Sequence, residues 1–169
     1  MCRSLNTERL QLKAITENEL YIFHEVLVDP FVRKYLCDDK ILSLAQTQEF
    51  IEVNQKNFDE QQFGLWLMYT KSIHELIGFV GFWYFFDEPQ PQLLYALLPN
   101  ATKKGYATEA VSHLIEYGFK QLRYKYLMAS CDEPNLESRK LAEKLGMKLV
   151  EKRDVNEKPI LFFRIDQKV

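Results

Sequence analysis

The chain has 169 residues, 47% hydrophobic and 27% charged, the balance of a soluble globular protein long enough to bury a sizeable core. Its 22 basic and 24 acidic residues leave a net charge of −2, so there is no basic excess to neutralise phosphates, and nucleic-acid binding is not expected. The cysteines, Cys2, Cys37 and Cys131, are sparse and lack CxxC spacing, which excludes a disulfide framework and a zinc site and points to a reducing cytoplasm with no bound metal.

Repeats, low-complexity tracts and flexible linkers are absent, so one domain over residues 1–169 is expected. The opening residues lack a basic region followed by a long apolar run, and no signal peptide is expected. From Arg9 to Ile15 the pattern alternates, with Leu10, Leu12 and Ala14 on one face, and reads as an edge-like strand. Thr16 with Glu19 forms a capping box that opens a helix. That helix places Leu20, Phe23, Val26 and Leu27 on one side and stops at Asp29-Pro30, because proline disfavours helix in the residue before it. Phe31 to Leu36 suits a short helical turn, and Ser43 to Asp59 a full helix.

Three strands follow. Phe63 to Tyr69 is the first. Leu76 to Phe86 is apolar on both faces, which suits a central strand. This run is too short to cross a bilayer and contains Gly78 and Gly81, so membrane residence is not expected. Leu93 to Leu98 is the third strand. Gly105 to Arg123 then carries apolar residues at helical spacing. Tyr126 to Cys131 is a strand, and Pro134-Asn135 opens a helix that Gly146 closes. Met147 to Lys152 and Ile160 to Ile165 form a hairpin around a polar turn. The expected fold is α/β: a mixed, mostly antiparallel sheet with one parallel crossover and flanking helices.

The chemistry concentrates between Tyr95 and Ala110, where a strand enters a basic loop and Gly105 opens a helix. The first turn of a helix has unpaired N–H groups and a positive dipole end, and a phosphate can take both. Gly105 and Ala107 are small enough for close approach, and Lys103 and Lys104 add charge. The residues alone leave two readings open: a pyrophosphate cradle, or a plain strand-to-helix turn with solvated lysines. The dinucleotide fingerprint and the ATPase phosphate loop are both excluded, for want of their glycines and because Tyr106 follows Gly105.

The run PNATKKGYATEAV, followed by NLESRKLAEKLGMKLVE, resembles the coenzyme A-binding core of GNAT acetyltransferases. The opening LNTERLQLKAIT and then DPFVRKYL resemble the branch containing the ribosomal-protein N-terminal (alanine/serine) acetyltransferases, so the likeness covers essentially the whole chain. It implies a GNAT sheet with a splayed parallel strand pair and acetyl-CoA as co-substrate. Ala96, Leu97 and Leu98 would pair with the pantetheine arm. The amides from Lys104 through Gly105, Tyr106 and Ala107 to Thr108, with Lys103 beside them, would hold the pyrophosphate. Asn135 would contact the pantetheine or acyl region, and Ser138 would donate a proton or hydrogen bond to the departing thiolate. Thr102 and Lys103 depart from the family's usual loop residues. The acceptor implied is a primary amine, on a small molecule or a protein N-terminus, and a homodimer is compatible with the likeness. A catalytically inactive acyl-CoA-binding module is the alternative reading.

Asn135 is also a natural helix cap and Glu109 a natural first-turn carboxylate. Asp87, Glu88, Asp132, His24, His74 and His113 are the candidates for a general base, and none stands out in sequence. Cys131 reads as a small buried strand residue. Trp83 to Phe86 suit core packing or an acceptor cleft. The loops at Phe31 to Lys40 and Asp154 to Lys158 would, by family analogy, shape that cleft.

Overall fold

The computed structural model describes residues 3–169, so Cys2 lies outside the described residues. Among these, eight strands form one sheet in the order β1-β2-β3-β4-β5-β6-β8-β7. The strand predicted at the sheet edge is β2 (Leu10–Ala14), with Leu10, Leu12 and Ala14 buried as its alternation requires. It is not the edge. A short strand, β1 (Ser4–Asn6), covers it, with Ser4 opposite Lys13. Next in the sheet come β3 (Leu65–Thr70) and β4 (Leu76–Trp83), all antiparallel.

The Thr16–Glu19 capping box is present, but it opens a 3-10 turn that leads into α1 (Leu20–Val28). Asp29 leaves the helical conformation and caps α2 (Pro30–Arg33), accepting from Phe31 N at 2.9 Å. The long helix α3 (Leu44–Gln61) starts after Ser43, whose capping box with Gln46 fixes its entry. It runs past Asp59 and ends where Gln62 turns left-handed.

After β5 (Gln92–Leu97) come α4 (Tyr106–Lys120), β6 (Tyr126–Asp132) and α5 (Leu136–Lys144). The hairpin of β7 (Lys148–Val155) and β8 (Lys158–Asp166) is longer than its sequence reading. Its turn tightens to Asn156 and Glu157, both left-handed. β4 ends at Trp83, short of the expected Phe86, because Phe86 and Asp87 turn left-handed.

The sheet separates two packed layers. On one face α4 buries Leu114 and Val111 against Phe82, Leu93 and Leu127. On the other, α1 and α3 bury Phe23 and Ile51 against Leu67 and Phe79, and Phe23 meets Phe79 edge-to-face at 5.3 Å. Each such side chain contributes about 1.5–3 kcal/mol on burial. The layers leave the middle of the sheet stiff on both sides of one weak seam. β5 and β6 are its parallel pair, and their only register is Leu93 opposite Ala129. β6 instead pairs with β8 from Tyr126↔Asp166 to Asp132↔Ile160. Gln90 Nε2 donates to Tyr126 O at 2.6 Å and holds the closed end of the seam.

Candidate active site

Beyond Leu93 the two strands diverge, and a cleft of about 1230 Å³ opens between them. Register gives its inner wall a direction. Leu98 N donates to Ile77 O at 2.9 Å, so alternation aims the backbone groups of Ala96 at β4 and those of Tyr95 and Leu97 at the gap.

At the mouth of the cleft stands the first turn of α4. Gly105 is its N-cap at φ +80, a left-handed position that suits glycine. No side chain caps this helix, and its first intrahelical bond runs from Glu109 N to Gly105 O. The N–H groups of Tyr106, Ala107 and Thr108 therefore have no partner within the helix. A Cβ on Gly105 would stand 3.3 Å from Arg9 Nη2, so the turn is closely braced from outside.

That brace was not legible in sequence. Arg9 Nη1 donates to Lys104 O at 2.9 Å, its Nε donates to Glu109 Oε1 at 2.7 Å, and its guanidinium lies 4.6 Å from the Tyr106 ring centroid. Glu109 also accepts from Thr7 Oγ1 and Arg9 N. Burial raises the Glu109 carboxyl, but these hydrogen bonds outweigh it and hold the group below its usual range. Glu109 thus has the structural role expected of it.

Of the residues singled out for coenzyme A, all but Leu98 and Lys104 line the cleft. Leu98 packs into the core beside α1, and Lys104 presents its carbonyl to Arg9. Asn135 caps α5, with Oδ1 accepting from Ser138 N at 3.3 Å. The Ser138 hydroxyl lies close enough to the Tyr95 phenol and the Cys131 thiol to oppose the effect of burial on both. Burial pushes the Tyr95 phenol up to about 12, despite the nearby Ser138 hydroxyl, so it stays protonated at neutral pH. Cys131 is half-buried, lines the cleft, and has its thiol pushed up mainly by burial, which favours the thiol over a nucleophilic thiolate.

The base candidates separate. His24 bonds Thr47 at 2.8 Å, and His74 stacks on Tyr69 at 4.6 Å. Glu88 accepts from Arg153 at 3.2 Å. Neither these residues, nor His113, nor Asp87, lines the cleft; Asp132 does. Phe85, Phe86 and Trp83 line it as well, as do Phe31 to Asp38 in part and Val155 to Lys158 in part, so both expected loops reach the cleft.

A mixed sheet split at its one parallel pair, with an uncapped helix N-terminus at the opening, defines the class: an acetyltransferase-type fold. The acetyltransferase (GNAT) domain family matches residues 9–148, and the chain belongs to it. The uncharacterized N-acetyltransferase YnaD of Bacillus subtilis is 27% identical over 144 residues, covering 85% of this chain and 82% of its own. An acetyltransferase from Agrobacterium tumefaciens superposes with a TM-score of 0.83 at 22% identity, over 99% of this chain and 96% of that one. The ribosomal alpha-N-protein acetyltransferase RimL, in complex with coenzyme A, gives 0.82 at 14% identity, over 96% and 97%. These solved structures share the fold.

Proposed function

We propose that this protein moves an acetyl group from acetyl-CoA directly to a primary amine. The observation that carries the reading is the seam that opens beyond Leu93 beside an uncapped helix N-terminus. The residues fit the co-substrate: Gly105 presents no side chain at the turn, the first amides of α4 have no partner within the helix, and the Tyr95 and Leu97 backbone edge offers pairing to a pantetheine arm. In this reading the amides of Gly105 to Thr108 and Lys103 hold the pyrophosphate. Asn135 and the gap-facing backbone of Tyr95 and Leu97 orient the arm. Backbone N–H of β5 polarises the thioester carbonyl. Ser138, which lines the cleft with Tyr95, gives a hydrogen bond or proton to the leaving sulfur.

The names of its relatives, N-acetyltransferases, and coenzyme A in the RimL complex support this reading. The acceptor is an amine of a small molecule or a protein N-terminus, and a cytoplasmic setting supplies both. Calorimetry with acetyl-CoA tests it on the wild type and Gly105→Glu, which strains the left-handed turn that opens the cradle. Binding by the wild type, lost in a folded variant, is the expected result. A folded wild type that does not bind acetyl-CoA overturns the reading.

A further inference from the structure

We propose that Asp132 receives and deprotonates the acceptor's ammonium, and that the acceptor carries an apolar group beside its amine. The proposal rests on the acetyl-transfer reading and extends it to the acceptor end of the same cleft.

Strand alternation divides β6 between two jobs. Ala129 and Cys131 face α4 and α5, where Cys131 meets Ser138. Ser130 and Asp132 occupy the other face, registered against Phe162 and Ile160. Both Ser130 and Asp132 line the cleft. The hydroxyl that serves the leaving sulfur and the carboxylate therefore stand on opposite faces of the split sheet. An amine approaching a thioester carbonyl from the Asp132 side meets the carboxylate before the bond forms, and the sulfur leaves toward Ser138.

Three carboxylates line the cleft: Asp38, Asp132 and Glu137. Asp38 is paired with Lys158 at 3.1 Å and Glu137 with Lys140 at 3.7 Å. Among the described residues no cation pairs with Asp132. Ser130 adds a second acceptor. Its Oγ donates to Gln92 Oε1 at 2.7 Å, and Gln92 is fully buried, so the serine is held with its lone pairs free. Ser130 and Asp132 stand two residues apart on the same face of the strand, so both side chains meet an acceptor that enters from that face.

The same cleft is lined by the aromatic rings of Phe31, Tyr35, Phe50, Trp83, Phe85 and Phe86, with Lys34 Nζ 5.2 Å from the Tyr35 ring centroid. A polyamine or an aminoglycoside needs several unpaired carboxylates, and this wall offers one. A single ammonium on an aromatic or aliphatic body fits both parts. Burial, then the charge of Asp38, raises the Asp132 carboxyl, while Lys158 opposes them; the neighbouring Cys131 stays a neutral thiol. A raised carboxyl is a better proton acceptor once ionised. In the reaction an N–H bond breaks and its proton goes to Asp132. The nitrogen lone pair forms the N–C bond and the C–S bond breaks; the sulfur takes a proton from Ser138, and the second proton lost by the nitrogen restores the Ser138 hydroxyl. Asp132 then releases its proton to water.

The test uses acetyl-CoA with 2-phenylethylamine, a short peptide beginning with phenylalanine, and spermidine, reading CoA release. Turnover of either aromatic amine in preference to spermidine is expected, and which of the two is faster tells a small molecule from a protein N-terminus. Asp132→Asn should bind acetyl-CoA as the wild type does. Its kcat/KM should fall by roughly 10² to 10⁴. The acid limb of the pH profile should move up to the amine's own pKa. The raised carboxyl is destabilising when ionised, so above its folded pKa the Asn variant should melt no lower than the wild type, which keeps folding apart from chemistry. Ser130→Ala should raise KM and leave the acid limb. A preference for spermidine, an unchanged acid limb in Asp132→Asn, or no turnover of either aromatic amine by protein that binds acetyl-CoA overturns the proposal. Failure to bind acetyl-CoA overturns instead the reading beneath it.

Discussion

Arg9 joins the N-terminal strand to the loop before α4 through the Lys104 carbonyl, the Glu109 carboxylate and the Tyr106 ring. Arg9→Ala frees that loop while leaving every amide of the cradle in the chain. The acetyl-CoA dissociation constant is expected to rise, with a stability loss of about 1 kcal/mol, because the ion pair is partly solvated. Titration calorimetry and urea unfolding read the two effects. The variant should also be less acid-sensitive relative to its own maximum. Glu109 has a folded pKa below its unfolded value, so its stabilisation is present above the unfolded pKa and is lost as pH falls through the folded one. Removing Arg9 removes part of that shift. Sequence offered no signal for Arg9, since an arginine at a strand start is unremarkable and its partners lie 95 and 100 residues away.

Between elements, one buried amide does what no backbone pairing could. Asn54 of α3 is 1% exposed. Its Nδ2 donates to Ile15 O at 3.0 Å, and its Oδ1 accepts from Leu65 N at 2.7 Å. The helix is thereby bolted to the ends of β2 and β3. Asn54→Leu keeps the volume and strands both backbone groups, so a loss of about 1–3 kcal/mol in unfolding free energy is expected, measured by urea denaturation. Elements with local signals were legible: the Thr16 capping box, the Asp29-Pro30 stop and the Gly146 turn all fall where sequence placed them. β1 was not, because three residues show no periodicity and its pairing with β2 depends on the fold. The same limit hid the edge. Alternation in β2 shows which face is buried and cannot show that another strand lies beside it.

At the scale of the molecule the two halves of the cleft differ in how far they are written along the chain. On the proposed reading the donor side is local, with the loop, the start of α4 and the start of α5 each readable as a motif. The acceptor side is gathered from segments near residues 31–38, 83–86, 130–132 and 155–158, which only the sheet order brings together. Asp132 was therefore one candidate among several until the fold placed it in the cleft. The narrow seam at Leu93 and Ala129 has one more effect, on solvent exchange. The amides of Tyr95 and Leu97 face the gap with no strand opposite, while that of Leu98 is bonded to Ile77. In deuterated water the first two should exchange early and the third late. Saturating coenzyme A should slow Tyr95 and Leu97 selectively, because a ligand threaded through the gap completes the sheet; equal rates with and without it would mean that the arm lies elsewhere.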